Sequence, residues 1–217
     1  DGQYAENPYQ SGWENPVSLL SRINTTAVNR YLSSISFDVN ILHNLVWKPM
    51  VSLDWTRSDN VQFVDPYSNV WGRNGDNNPT SDKGRGSNTV ENNTNWNFEN
   101  TLSYQLKFDN SDLNLLGGMS MQKNNYTKDA NSGNGFPVTQ REYDYNAAKN
   151  KSFENRENEV RSQSFFGRAT YTIKNKYILN GVFRESGASQ LGADHKWGFF
   201  PGVSAAWIVS NENFLKD

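Results

Sequence analysis

The chain has 217 residues, enough for one domain or one large sheet, and its 21 Lys+Arg against 23 Asp+Glu leave a net charge of −2, which argues against a protein built around nucleic acid. Cysteine is absent, so disulfide frameworks, thiolate nucleophiles and cysteine zinc sites are excluded. Only 35% of the residues are hydrophobic, yet 13% are aromatic, and disordered chains are poor in aromatics.

No run of about 18 apolar residues is present to form a transmembrane helix, and the amino terminus lacks the basic-then-apolar pattern of a signal peptide. Membrane β-strands stay open, because they need only about 9–11 residues with every second one apolar.

Residues 1–25 contain prolines and no clear period, and read as an irregular segment; residues 26–217 read as strands and loops. Tyr31, Ile35, Phe37 and Val39 oppose Arg30, Ser34, Ser36 and Asp38, and after the His43-Asn44 corner Leu45, Trp47, Val51, Leu53 and Trp55 oppose Lys48, Ser52, Asp54 and Thr56. Period two predicts a strand with one apolar and one polar face in each case. A long loop rich in Asn, Gly, Asp and Ser is expected near 58–93. The clearest strand follows from Asn95 to Phe108, with Trp96, Phe98, Leu102, Tyr104, Leu106 and Phe108 on one face. The turn-forming run Asp109-Asn110-Ser111-Asp112 then leads into a strand with Leu113, Leu115, Met119 and Met121 on one face, a hairpin. A second long loop is expected near 124–161. Beyond it Phe165, Ala169, Tyr171 and Ile173 alternate with polar residues, Lys174-Asn175-Lys176 turns the chain, and a further strand runs from Tyr177 to about Arg184. After a third long loop near 186–197, the last strand spans roughly Gly198 to Val209 and aims Val203, Ala205 and Trp207 one way.

Seven strands result, with short turns at one end and long loops at the other, the pattern of an outer-membrane barrel. Aromatics gather at both ends of the apolar faces. Phe37, Trp47, Phe108, Tyr171, Tyr177 and Trp207 lie toward the short turns, and Tyr31, Trp55, Trp96, Phe165, Phe183 and Phe199 toward the long loops; these are candidate interfacial girdles. Bacterial single-chain barrels have even strand counts, and an open edge in lipid leaves backbone groups unpaired. The expected fold class is therefore all-β, an antiparallel up-and-down transmembrane β-barrel segment, an arc of a larger barrel.

Two rival readings use the same residues. A hydrolase needs a Ser or Thr with a base in reach, but His43 falls in a short turn and His195 in a long loop, and Glu157 with Glu159, or Glu142 with Asp144, reads as solvated loop charge. Asp76-Asn77-Asn78 with Asp82 lacks the full calcium-loop pattern and Gly84-Arg85-Gly86 is no phosphate loop, so no enzyme activity, metal or cofactor is expected. A soluble β-sandwich carbohydrate-binding module shares the alternation, but needs neither girdles nor one-sided long loops.

Specific runs carry a resemblance: Ser164-Phe165-Phe166-Gly167-Arg168, Lys176-Tyr177-Ile178-Leu179, and Trp197-Gly198-Phe199-Phe200-Pro201-Gly202-Val203-Ser204-Ala205-Ala206-Trp207 followed by Glu212 and Phe214, with Asn15-Pro16-Val17 and Gly135-Phe136-Pro137 upstream. The chain resembles the SusC/RagA family of TonB-dependent outer-membrane transporters over most of its length. Departures are mild: Glu185-Ser186-Gly187-Ala188-Ser189 stands where the family often has Asp-Gly-Ser-Ser, and Lys196 where it has Arg. The family's TonB box and plug domain have no counterpart here.

The resemblance implies a Gram-negative outer-membrane location and a barrel of about 22 strands, a size known for plugged transporters. It implies uptake of oligosaccharides or peptides driven by the TonB complex through the plug, with a SusD-like surface lipoprotein as a lid over the loops near 58–93 and 124–161. Within that reading the polar faces line the lumen or meet the plug, which makes Arg30, Asp38, Asp54, Glu99, Lys107, Arg168 and Arg184 candidates for plug or cargo contact. Phe63, Tyr67, Trp71, Tyr143, Tyr145 and Phe153 in the long loops are candidates for stacking on substrate or lid.

Overall fold

The computed structural model describes residues 16–64, 66, 84–137, 139–140, 142–192 and 195–215. A four-residue helix, α1 (Pro16–Leu19), precedes eight strands: β1 (Ile23–Ser36), β2 (Val39–Leu42), β3 (Leu45–Val64), β4 (Arg85–Phe108), β5 (Ser111–Asn134), β6 (Asn150–Ile173), β7 (Tyr177–Ala188) and β8 (Trp197–Trp207). They form a single sheet in the order β1-β3-β4-β5-β6-β7-β8, with β2 paired to β3. Sequential order is the up-and-down meander expected, and the absence of a second packed sheet among the described residues removes the sandwich alternative.

The expected first strand is split in two. The register Val39↔Trp47 puts Phe37 opposite Pro49. Phe37 N–H donates to the Pro49 carbonyl at 3.1 Å, but proline has no N–H to return, so the ladder is interrupted at 37–38.

The longer strands overrun the loops expected near 58–93, 124–161 and 186–197. β3 continues to Val64, β4 begins at Arg85, β5 runs on to Asn134, β6 begins at Asn150 and β7 ends at Ala188. β1 likewise begins at Ile23, inside the segment expected to be irregular, and β8 stops at Trp207, before Val209. The added lengths are mostly polar, with only scattered apolar residues such as Val61, Phe63 and Phe153, so no sustained alternation marks them.

By its contacts the chain divides into two units. The turn-bearing unit comprises Tyr31–Trp55, Thr94–Asn125 and the chain from Glu159 onward. Its short turns share one end: Lys174 N–H donates to the Asn110 carbonyl at 2.7 Å and Gln105 N–H to the Asn44 carbonyl at 2.9 Å. Lys174 and Asn175 have φ of 51° and 53°, and Lys176 N–H bonds the Ile173 carbonyl at 2.9 Å, so both central residues of this tight turn are left-handed.

The registers of β6, β7 and β8 fix the two faces. Phe165, Ala169, Tyr171 and Ile173 share one face with Tyr177, Leu179 and Phe183, and these with Phe199, Pro201, Val203, Ala205 and Trp207. Phe165 stacks on Trp197 at 6.2 Å, Phe183 on Phe199 at 6.4 Å and Tyr177 on Trp207 at 6.5 Å. The face is bare: Val203, in its middle opposite Gly181, is 93% exposed. Trp207 faces Tyr177 and Trp197 faces Gly187, ten residues further along β7. Ten residues make about 33 Å of strand, or about 25 Å across a bilayer at a tilt near 40°, the height of the apolar band of a membrane barrel.

The loop-bearing unit comprises the described residues up to Arg30, Thr56–Asn93 and Tyr126–Asn158. It holds the buried hydrophobic cluster, Phe63, Phe136 and Ala148, flanked by Ile23, Tyr143 and Ala147. Gly135 N–H bonds the Gly84 carbonyl at 3.2 Å and Lys149 N–H the Asn134 carbonyl at 3.0 Å, which closes the connection between β5 and β6 onto the strands that bear it.

Candidate lumen-facing site

Opposite the apolar face, the turn-bearing unit carries a polar one. Ser164 pairs with Ser186 and Phe166 with Arg184 across β6 and β7, and the alternation of β4 and β5 turns Asn97, Glu99, Ser120 and Gln122 the same way. These residues line an open depression of about 550 Å³ together with Phe166 and Arg184.

Arg184 is held in place by hydroxyls. Its Nε donates to Ser186 Oγ at 2.9 Å and its Nη2 to Ser164 Oγ at 3.0 Å, and the two hydroxyls lie 2.9 Å apart. Ser164 is buried, so the guanidinium is anchored from beneath while remaining exposed itself. Gln122 donates to Asn95 at 3.2 Å. Phe166 lies against Gly118, where a Cβ would come within 2.6 Å of the ring. Among the described residues neither Glu99 nor Arg184 takes part in an ion pair. The depression therefore offers one carboxylate, one guanidinium, amides and an aromatic ring, a set suited to hydrogen bonding and stacking with polar cargo or a polar protein surface.

The structure brings Glu99 and Arg184 of the sequence candidates together and leaves the others apart. Asp38 pairs with Lys48 at 2.8 Å, both exposed. Arg168 stands opposite Val182 nearer the short turns, Lys107 is exposed one residue from the end of β4, and Arg30 and Asp54 lie on β1 and β3. Phe166 escaped the sequence reading, although a signal exists: in the adjacent pair Phe165-Phe166, period two forces one ring onto the polar face.

The loop aromatics separate as well. Phe63 is 0% exposed, its ring edge-to-face with Phe136 at 5.1 Å, so it offers no surface for stacking. Tyr143 packs on Phe136 at 6.0 Å and donates to the Asn131 carbonyl at 3.2 Å; burial, more than the neighbouring Tyr145 and Asp144, pushes its phenol up. Tyr145 lies in a short 3-10 turn (Tyr145–Ala147) beneath Lys151 Nζ at 5.6 Å. Phe153 is 62% exposed. Tyr67 and Trp71 fall outside the described residues.

His43 and His195 are both exposed, in separate connections. Among the described residues no group of three or more His, Cys, Asp or Glu forms a metal-binding cluster.

Glu212, one of the residues that carry the resemblance, has a structural role just past β8. It accepts from Lys176 Nζ at 2.6 Å, Tyr177 Oη at 2.8 Å and Trp207 Nε1 at 3.2 Å. Lys176 and then Tyr177 hold its carboxyl well down, at about 2.

No family model matches the chain. The TonB-dependent receptor P26 of Formosa agariphila is 28% identical over 230 residues, covering 100% of this chain and 22% of that protein. The TonB-dependent receptor SusC of Bacteroides thetaiotaomicron is 25% identical over 224 residues, covering 100% of this chain and 20% of that protein. The chain thus spans about a fifth of the length of the curated relatives it matches. Among solved structures, the RagAB peptide transporter superposes with a TM-score of 0.77 at 18% identity, over 93% of this chain and 22% of that one, which shows the fold. The resemblance read from the sequence therefore stands: the chain is similar along its whole length to part of TonB-dependent receptors including SusC, and its fold is that of their barrel segment.

Proposed function

We propose that residues 26–217 form part of the barrel wall of a TonB-dependent, SusC-like transporter of the Gram-negative outer membrane, which imports oligosaccharides or peptides with a SusD-like surface lipoprotein as its lid. One observation carries the reading: a single antiparallel sheet exposes an apolar face bounded by two aromatic rows about 25 Å apart, with its short turns beyond one row. Such a face is stable in lipid and a liability in water. The polar face behind it, with Glu99, Phe166 and Arg184, would meet the plug or passing cargo, and half-buried Tyr145 and exposed Phe153, the latter on β6, are the candidate aromatics left to touch a lid or substrate. Energy would reach the site through a plug acted on by the TonB complex. The relatives are receptors and transporters, which supports a role in uptake over catalysis.

The test is uptake of labelled oligosaccharides and peptides by cells with and without the natural polypeptide that carries this sequence. Loss of one class on deletion, and equally on collapse of the proton-motive force, is expected. Uptake of both classes that survives deletion or uncoupling overturns the reading.

A further inference from the structure

The apolar face carries a depression of its own, about 490 Å³, where the row of Trp96, Met121 and Trp197 meets Lys123, Arg161 and Lys196. Gln163 pairs with Gly187, and Gly187 with Trp197, so the depression lies on the face that bears Phe165, Phe183 and Trp207, at the level of the aromatic row farther from the short turns. Gly187 leaves the space the indole occupies: a Cβ there would stand 2.8 Å from the Trp197 ring. The floor is thus aromatic and thioether surface of the kind that lies against acyl chains.

The rim is cationic. Lys123 Nζ and Arg161 Nε both reach Glu159, at 2.5 and 2.6 Å, and Lys196 forms no ion pair among the described residues. Two cations therefore share one carboxylate and a third stands without one. Arg161 spends only Nε on Glu159, and its two terminal nitrogens make no hydrogen bond among the described residues. A guanidinium fork presented in this way matches the oxygens of a phosphate. The order along the strands, apolar first and cationic beyond, is the order of an acyl chain and its headgroup at an interface.

We propose that this depression binds a phosphorylated lipid headgroup of the outer leaflet, with one acyl chain laid along Trp96, Met121 and Trp197 and the phosphate held by Arg161 and Lys196. The assignment to the outer leaflet rests on the barrel reading above; the retention of lipid does not depend on transport. A glycan or peptide cargo would not meet this face, since it passes on the opposite side of the sheet.

The test uses the natural polypeptide in mild detergent, stripped of lipid and offered either a phosphorylated lipid A or its dephosphorylated form with the same acyl chains. Retained lipid is read by native mass spectrometry and folding by heat-modifiable gel mobility. The phosphorylated lipid is expected to be retained about tenfold better, and that preference to vanish in Arg161→Gln/Lys196→Gln, as loss of charge-assisted contacts requires. Glu159→Gln, which releases Lys123 and Arg161, should raise retention. Lys196→Gln alone, in an exposed connection, should lower it even if the double variant fails to fold. Equal retention of the two lipids, no change in Lys196→Gln, or displacement by inorganic phosphate at the same concentration as lipid overturns the proposal, whatever the outcome of the uptake assay.

Discussion

The turn-bearing and loop-bearing units are built from β-strands of the same sheet, yet different forces shape them. In the turn-bearing unit period-two alternation dominates, with few departures such as Phe166 and Glu185, and the apolar face buries almost nothing: Leu179, Phe183, Phe199, Val203 and Trp207 are all exposed. In the loop-bearing unit both faces are mostly polar, with apolar side chains such as Val28 and Phe153 scattered among them. Asn92 bonds Thr127 at 3.4 Å, Tyr126 bonds Glu91 at 2.9 Å, Asn155 bonds Asp129, Lys128 meets Glu154 at 3.4 Å, and the apolar contribution shrinks to the cluster around Phe63. Alternation records contact with an apolar solvent, whereas strand pairing itself requires only backbone hydrogen bonds.

The contrast is broken most forcefully at Phe63. Phe63→Ala removes the one fully buried side chain described and is expected to cost about 3–5 kcal/mol locally. Hydrogen exchange should quicken in residues 135–149 while the amides of Tyr177–Phe183 keep their protection; loss of protection in both would mean the two units are not independent. Next comes the bare face. Val203→Arg should cost about 2–4 kcal/mol when the natural polypeptide folds into vesicles under urea titration, and Ser204→Arg, one residue away on the polar face, within about 0.5 kcal/mol. Equal penalties at the two positions would erase the distinction between lipid and lumen.

A smaller effect concerns Glu212. Its carboxyl titrates lower in the folded protein than in the unfolded one, so the stability it contributes is complete above its ordinary value of 4.5 and is lost as pH falls toward about 2. Trp207 fluorescence should report release of the segment after β8 in that window, and Glu212→Gln should flatten the titration. Smallest of all, Glu154→Gln removes solvent-accessible ion pairs with Lys128 and Arg156 and should change stability by about 0–1 kcal/mol. A larger loss would mean that the polar pairs are more than solvated decoration of the strands.

The part of the fold that bears the bare apolar face was legible because an apolar face set against a polar one imposes period two on a strand. The outer lengths of β4, β5 and β6 were illegible for the same reason: their residues, Asn92, Thr127 and Asn155 among them, are polar on either side of the ladder and carry no period. Glu99 and Arg184 could be named as polar-face residues, but only the register of β6 with β7 reveals that Ser164 and Ser186 anchor the guanidinium. Phe63 was visible as a loop aromatic and ambiguous between ligand and core, because its partner Phe136 lies 73 positions away in the chain. The role of Gly187 beneath Trp197 was hidden likewise, since it exists only once β7 and β8 are in register.

The two aromatic rows are set by hydrogen-bond register, and register moves in steps of two residues, about 6.6 Å of strand. Their spacing is therefore a fixed ruler rather than an adjustable one. A bilayer thicker or thinner than about 25 Å of hydrocarbon must itself deform to meet them, at fractions of a kcal/mol per Å of mismatch. The segment would accordingly impress its own thickness on the lipid around it, and neighbouring proteins would sense that local depth as a weak, composition-independent attraction toward regions already matched.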